Sequence, residues 1–142
     1  MMKIAVIGAG NIGHTLGQKW SKSGYTIYYG VRDPEHGKYA HLHESGQVCT
    51  VLDALTPARV VLLAIPGDAV SDFVEEYTES LNGKLIVDAT NNIRGGPMNN
   101  LELLYAKTAN TQLVRAFSTL GWENFENPDV NGQQVDLFYC GH

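Results

Sequence analysis

The sequence predicts an α/β fold: an open, doubly wound, mostly parallel sheet in a single domain over residues 1–142. Three observations predict it. Short apolar, β-branched stretches alternate with helical stretches from end to end. One of them, Val60-Val61-Leu62-Leu63-Ala64-Ile65, is apolar throughout, as suits a strand buried on both faces of a parallel sheet. Lys3 to Ile7, another such run, leads into Gly8, Gly10 and Gly13 at G-x-G-x-x-G spacing and then into a helical pattern.

Each element has its own signal. Lys3 to Ile7 reads as the first strand, and His14 to Ser23 as the first helix, with Leu16 and Trp20 on one side. Ser23-Gly24 stops that helix. Tyr25 to Tyr29 is aromatic and β-branched, a second strand, ending in the loop Gly30-Val31-Arg32-Asp33-Pro34. Glu35 to Ser45 is weakly patterned and reads as a short helix, Gln47 to Val51 as a third strand, and Leu52 to Ala58 as a brief helical turn that ends near Pro57. Arg59 to Ile65 is the fourth strand and Pro66 ends it. From Gly67 to Leu81 the spacing of Val70, Phe73, Val74 and Tyr77 predicts a helix with those residues inward. Lys84 to Ala89 is a fifth strand, and Thr90 to Pro97 is too rich in glycine to be regular. Asn99 to Ala109 reads as a helix with Leu101, Leu104 and Tyr105 inward, Gln112 to Phe117 as a sixth strand, and Trp122 to Phe125 as one helical turn. Asn127-Pro128 and Asn131-Gly132 mark turns, and Val135 to Cys140 is expected to be a seventh strand. A final strand with no helix after it leaves that end uncovered. Two readings stay open: a partner covers it, or the chain is a portion of a longer protein.

Composition narrows the function. A net charge of −5 argues against general nucleic-acid binding, which needs a basic face. No apolar run approaches the roughly 20 residues of a membrane span, and the start lacks the pattern of a secretion signal, so a cytoplasmic setting is expected. Cys49 and Cys140 read as free thiols, and no metal site is expected, because His41 and His43 lie near no cysteine.

The glycine spacing points to a dinucleotide. Gly8 permits the tight turn, Gly10 lets a pyrophosphate approach the backbone, and Gly13 lets helix and strand pack closely. The N–H groups and dipole of the helix N-terminus then favour the phosphates. Gly8, Ala9, Gly10, Asn11, Ile12 and Gly13 are therefore candidate cofactor contacts. In such sheets ligands lie outside the carboxyl ends of the strands. An NAD-specific site places a carboxylate at the end of the second strand. Here Val31 holds that position and Arg32 follows, a donor fork suited to a 2′-phosphate, which favours NADP(H). Lys38 or His36 can assist. The competing reading makes Arg32 a solvated loop cation and Asp33 the ribose ligand. Ala64, Ile65 and Pro66 fall on the nicotinamide side, and Asn91 is a candidate for the carboxamide or a ribose, or else a turn residue. Ser118 and Thr119 either flank the same crevice or cap the next turn. His14 reads as a helix residue near the phosphates and Asp88 as structural. No acid–base pair is recognisable, so no catalytic residue is assigned. That lack fits hydride transfer between nicotinamide and a flavin-like ring, where the protein mainly orients; carbonyl reduction would need a visible general acid.

The Gly8–Gly13 turn, Gly30-Val31-Arg32-Asp33-Pro34, Ala64-Ile65-Pro66, Val87-Asp88-Ala89-Thr90-Asn91 and Val114-Arg115-Ala116-Phe117-Ser118-Thr119-Leu120 together resemble the NADP oxidoreductases dependent on the deazaflavin coenzyme F420. They are also similar to the oxidoreductase domain of the STEAP metalloreductases. The resemblance covers nearly the whole chain. It implies a Rossmann sheet, NADPH held with Arg32 on its 2′-phosphate, and hydride exchange with a deazaflavin, a flavin or a related small-molecule acceptor. It also implies helices beyond the Phe-Tyr-Cys-Gly strand, which this sequence lacks. The family often has serine at position 31 and asparagine at position 118, where this chain has Val31 and Ser118. Against the enzyme reading stands an NADP(H)-binding module without turnover, or a truncated remnant. The apolar Val135, Leu137, Phe138 and Tyr139 lead us to expect a homodimer covering that end.

Overall fold

The computed structural model describes residues 1–141. Strand β1 (Lys3–Ile7) lies at the centre of the sheet, with Ala5 and Val6 fully buried. It pairs in parallel with β2 (Thr26–Val31) on one side and β4 (Val60–Leu63) on the other. Beyond β2 lies β3 (Gln47–Thr50). Beyond β4 lie β5 (Leu85–Asp88) and β6 (Gln112–Arg115). All these pairings are parallel. A two-residue strand, β9 (Cys140–Gly141), closes the β6 edge in antiparallel sense. The order is β3-β2-β1-β4-β5-β6-β9, with the topological switch point at β1 and β4.

Helices cover both faces. Helix α1 (Asn11–Lys22) packs on one face with a 3₁₀ segment (Gly37–Glu44) and α5 (Trp122–Glu126). On the other face lie α2 (Val51–Leu55), α3 (Val70–Leu81) and α4 (Leu101–Lys107). Each β1 residue from Ile4 to Ile7 thus feeds one of two cores in alternation. Burying one such Ile or Val side chain contributes about 1.5–3 kcal/mol. Tyr29 is fully buried in the second core, and its hydroxyl meets Ser45 Oγ at 2.7 Å.

The expected doubly wound, mostly parallel sheet is what forms, with three local corrections. Helix α1 begins at Asn11 rather than His14, because Gly10 is its cap and Gly13 lies inside it. Tyr105 is 71% exposed rather than inward: α4 is short, and Leu104 is its one fully buried residue. The expected seventh strand over 135–140 does not form. Asn131-Gly132 instead closes a small hairpin of β7 (Asp129–Val130) and β8 (Gln133–Gln134). Residues 135–139 then run without regular structure, and pairing to β6 is limited to Cys140 and Gly141. The cause lies in β6. Past Arg115 the chain turns at Phe117, whose φ of +62° is left-handed, so no straight edge continues for a partner to extend along.

Candidate functional site

The carboxyl ends of the parallel strands divide into two halves. On the first, the turn after β1 is built by contact. Gly8 has φ +101°, and a Cβ there would lie 2.4 Å from the Ala64 carbonyl oxygen, so the β1 and β4 exits touch through their backbones. A Cβ on Gly13 would lie 1.9 Å from the Gly8 oxygen, which forces glycine where α1 crosses the turn. Gly10 differs: a Cβ there would meet nothing within 4 Å. The helix it opens has no side-chain cap and no acidic residue in its first turn. The N–H groups of Asn11, Ile12 and Gly13 therefore have no intrahelical acceptor, while His14 N–H already bonds the Gly10 carbonyl at 2.9 Å. Open space above donors at a helix N-terminus is what a pyrophosphate requires.

Beside this turn lies a cleft of about 630 Å³, within the usual range for a small-molecule site. Ile7, Gly8, Ala9, Val31, Arg32, Ile65 and Pro66 border it, so it gathers sequence-predicted residues from the β1, β2 and β4 exits. Arg32 is exposed at its rim. Val31 is 5% exposed, its side chain sharing a core with Leu42 and Val48. The opposite wall was not foreseen. Asp72, Phe73, Glu76 and Tyr77 of α3 line it, with Ala69 just before the helix and with Thr50 and Tyr39. The signal was present: the inward stripe at Val70, Phe73 and Val74 has an edge, and that edge faces the cleft. Burial, helped by Glu76, raises the Tyr77 hydroxyl above its ordinary pKa near 10, and the nearby Arg32 charge opposes this. The cleft thus sets one cation against two carboxylates.

The second half, at the β5 and β6 exits, is closed. Asp88 is fully buried, and Arg115, its register partner on β6, donates from Nη1 to Asp88 Oδ2 at 3.0 Å and to the Thr90 carbonyl at 2.8 Å. Asp88 Oδ1 accepts from Thr90 N–H and Oγ1. Asn100 Nδ2 reaches Thr90 Oγ1 and the Gly67 carbonyl. Asn91 bonds Arg115 through Oδ1 and the Ser118 carbonyl through Nδ2. Asp88 is structural, as expected. Arg115 was missed, although a carboxylate in an apolar parallel strand demands a counter-charge.

His14 sits against His41, ring centroids 4.7 Å apart. Burial and His41 lower its pKa, while Glu44 and Glu126 pull the other way. Cys49 is buried and Cys140 exposed. Among the described residues no cluster of His, Cys, Asp or Glu is placed to hold a metal, and no helix is long and apolar enough to cross a membrane.

This geometry agrees with what the chain matches. The profile of the family described as NADP oxidoreductase, coenzyme F420-dependent, fits residues 3–92. The chain belongs to this family. In fold it is similar to a protein from Arthrobacter sp. FB24 proposed to be an F420-dependent NADP reductase, with a TM-score of 0.80 at 21% identity over 100% of this chain and 74% of that one. In sequence it is 26% identical over 104 residues to a glycerol-3-phosphate dehydrogenase (NAD(P)+) of Pseudomonas fluorescens, 63% of this chain and 30% of that protein. It is 26% identical over 135 residues to the mouse metalloreductase STEAP2, 93% of this chain and 27% of that protein. It spans less than a third of either curated relative. Both resemblances read from the motifs are met, and family and fold make this an oxidoreductase-type dinucleotide-binding domain.

Proposed function

We propose that the chain binds NADPH along the carboxyl ends of β1, β2 and β4, and serves an oxidoreductase that exchanges hydride with a deazaflavin, a flavin or a related acceptor. The observation that carries this is the open space over Gly10 beside the uncapped N-terminus of α1, on the same edge as exposed Arg32. The residues present fit the nucleotide. Gly8 to Gly13 seat the pyrophosphate, Arg32 takes the 2′-phosphate with Val31 beside it, and Ala64, Ile65 and Pro66 lie along the β4 exit toward the nicotinamide. Asn91 stands at the neighbouring β5 exit. Bound NADPH supplies a hydride, and the chain's part is to orient it. A homodimer and a cytoplasmic setting belong to the same proposal. Exposed Leu137, Phe138 and Tyr139 support the first, and the absence of any spanning helix among the described residues is compatible with the second.

The test is thermal. NADPH should raise Tm more than NADH at equal concentration, because only NADPH offers Arg32 a phosphate. Equal shifts with both nucleotides would remove the NADP preference, and no shift with either would remove the site. Stopped assays with flavins and F420 then separate an enzyme from a module that binds NADPH and leaves it unchanged.

A further inference from the structure

The Asn91 amide can be oriented without reference to any ligand. A guanidinium has donors and no acceptor, so the atom that meets Arg115 Nη2 must be the amide oxygen. A carbonyl only accepts, so the atom that meets Ser118 O, at 2.9 Å, must be the amide nitrogen. Both assignments agree. They use the amide oxygen and one of two hydrogens on Nδ2. Arg115, whose side chain is 13% exposed, is itself fixed by its other arm, which lies between Asp88 Oδ2 and the Thr90 carbonyl. The guanidinium fork therefore spans two jobs: Nη1 balances the buried charge, and Nη2 sets the amide. Ser118, which receives that amide, follows Phe117, a bulky residue held at φ +62°. Such a conformation persists where surrounding contacts over-determine it.

We infer that Arg115 is a positioning residue: by holding Asn91 Oδ1 it fixes Asn91 as a hydrogen-bond donor at the β5 exit, fitted to an acceptor such as the nicotinamide carboxamide oxygen or a ribose hydroxyl oxygen. This rests on the NADPH reading above and adds which group of the nucleotide is read there, and by what polarity. Asn91 cannot turn its oxygen outward without leaving a guanidinium hydrogen unpaired, so the site discriminates for acceptors.

The experiment compares two ligands that share the phosphate end. NADPH carries the nicotinamide half, and 2′,5′-ADP lacks it. Arg115→Lys keeps a charge for Asp88 but has no second arm for Asn91. Asn91→Asp keeps the oxygen facing Arg115 and replaces the donor. Both ligands are titrated by calorimetry against wild type and each variant, with Tm recorded for each. Each substitution should weaken NADPH about 10-fold while 2′,5′-ADP changes less than about 2-fold. A role confined to stability would lower Tm and leave the ratio of the two affinities unchanged. That result, or unchanged NADPH binding in both variants, overturns the inference. If wild type binds neither ligand, the nucleotide site itself falls and this inference with it.

Discussion

The two halves of the sheet's carboxyl edge handle polar groups in opposite ways. At β1, β2 and β4, donors are left without acceptors among the described residues: the first N–H groups of α1 are uncapped and Arg32 is exposed. At β5 and β6, Asp88, Thr90, Asn91, Asn100 and Arg115 bond one another. A group satisfied by its own protein gains little from a ligand, whereas an open donor beside open space gains a bond. The first half is built to receive and the second to hold shape. Substitutions in the first should therefore show in binding, and those in the second in stability, apart from Arg115 and Asn91, where the amide hydrogen left over from the network also bears on the nucleotide.

The largest expected effect is on the closed half. Asp88→Ala leaves the Arg115 charge largely buried without its partner and should cost about 3–5 kcal/mol of unfolding free energy, read by urea denaturation. A loss under about 1 kcal/mol would mean that water reaches Arg115 and that the half is not closed. On the open half, Gly10→Val should leave Tm within a few degrees, since the added side chain meets no protein atom at its Cβ. The same change should weaken NADPH by more than about 100-fold, near 2.8 kcal/mol, by filling the pyrophosphate space. Retained affinity would make the glycine turn purely structural.

Arg32 comes next. Arg32→Ala should weaken NADPH by about 10-fold to 100-fold and change NADH only a few-fold, because the charge-assisted bonds exist for one nucleotide alone. Equal weakening would assign Arg32 to the loop. Glu76→Gln should move the other way, strengthening NADPH a few-fold by removing a negative charge from the same cleft. The smallest effect is on pH. His14 has a lowered pKa in the fold, so the folded state takes up its proton less readily than the unfolded chain does. Stability should therefore fall as pH drops below about 6.5, the ordinary value, and be fully present above it. Replacing His14 with Gln should flatten the dependence of Tm on pH below about 6.5; an unchanged slope would exclude His14 as its source.

The open half was also the legible half. Its signals are local: the glycine spacing, the position of Arg32 after β2, and Pro66 ending β4 can each be counted along the chain. What the sequence hid depends on pairing at a distance. Asp72, Glu76 and Tyr77 join the site only because the fold brings α3 to the same cleft as the β2 exit. Asn91 read as a nucleotide contact or a turn residue, and its bond to Arg115 went unseen because Arg115 lies on another strand. The strand expected at 135–140 had the right composition, but a strand also needs a straight neighbour, and Phe117 removes it. Composition reports what a segment can do; register decides what it is allowed to do.

The central place of β1 also bears on how the chain is made. β1 is synthesised before either neighbour, yet Ile4 is aligned with Ile27 on β2 and with Val60 on β4. While the chain is still emerging from the ribosome, at about 5–20 residues per second, β1 stands for some seconds with one edge unpaired. Lys3-Ile4-Ala5-Val6-Ile7 is short, apolar and β-branched, the composition that recruits strands from other chains. Slowing translation before Val60 should therefore raise the aggregated fraction, and slowing it after Leu63, when β4 can close the second edge, should not.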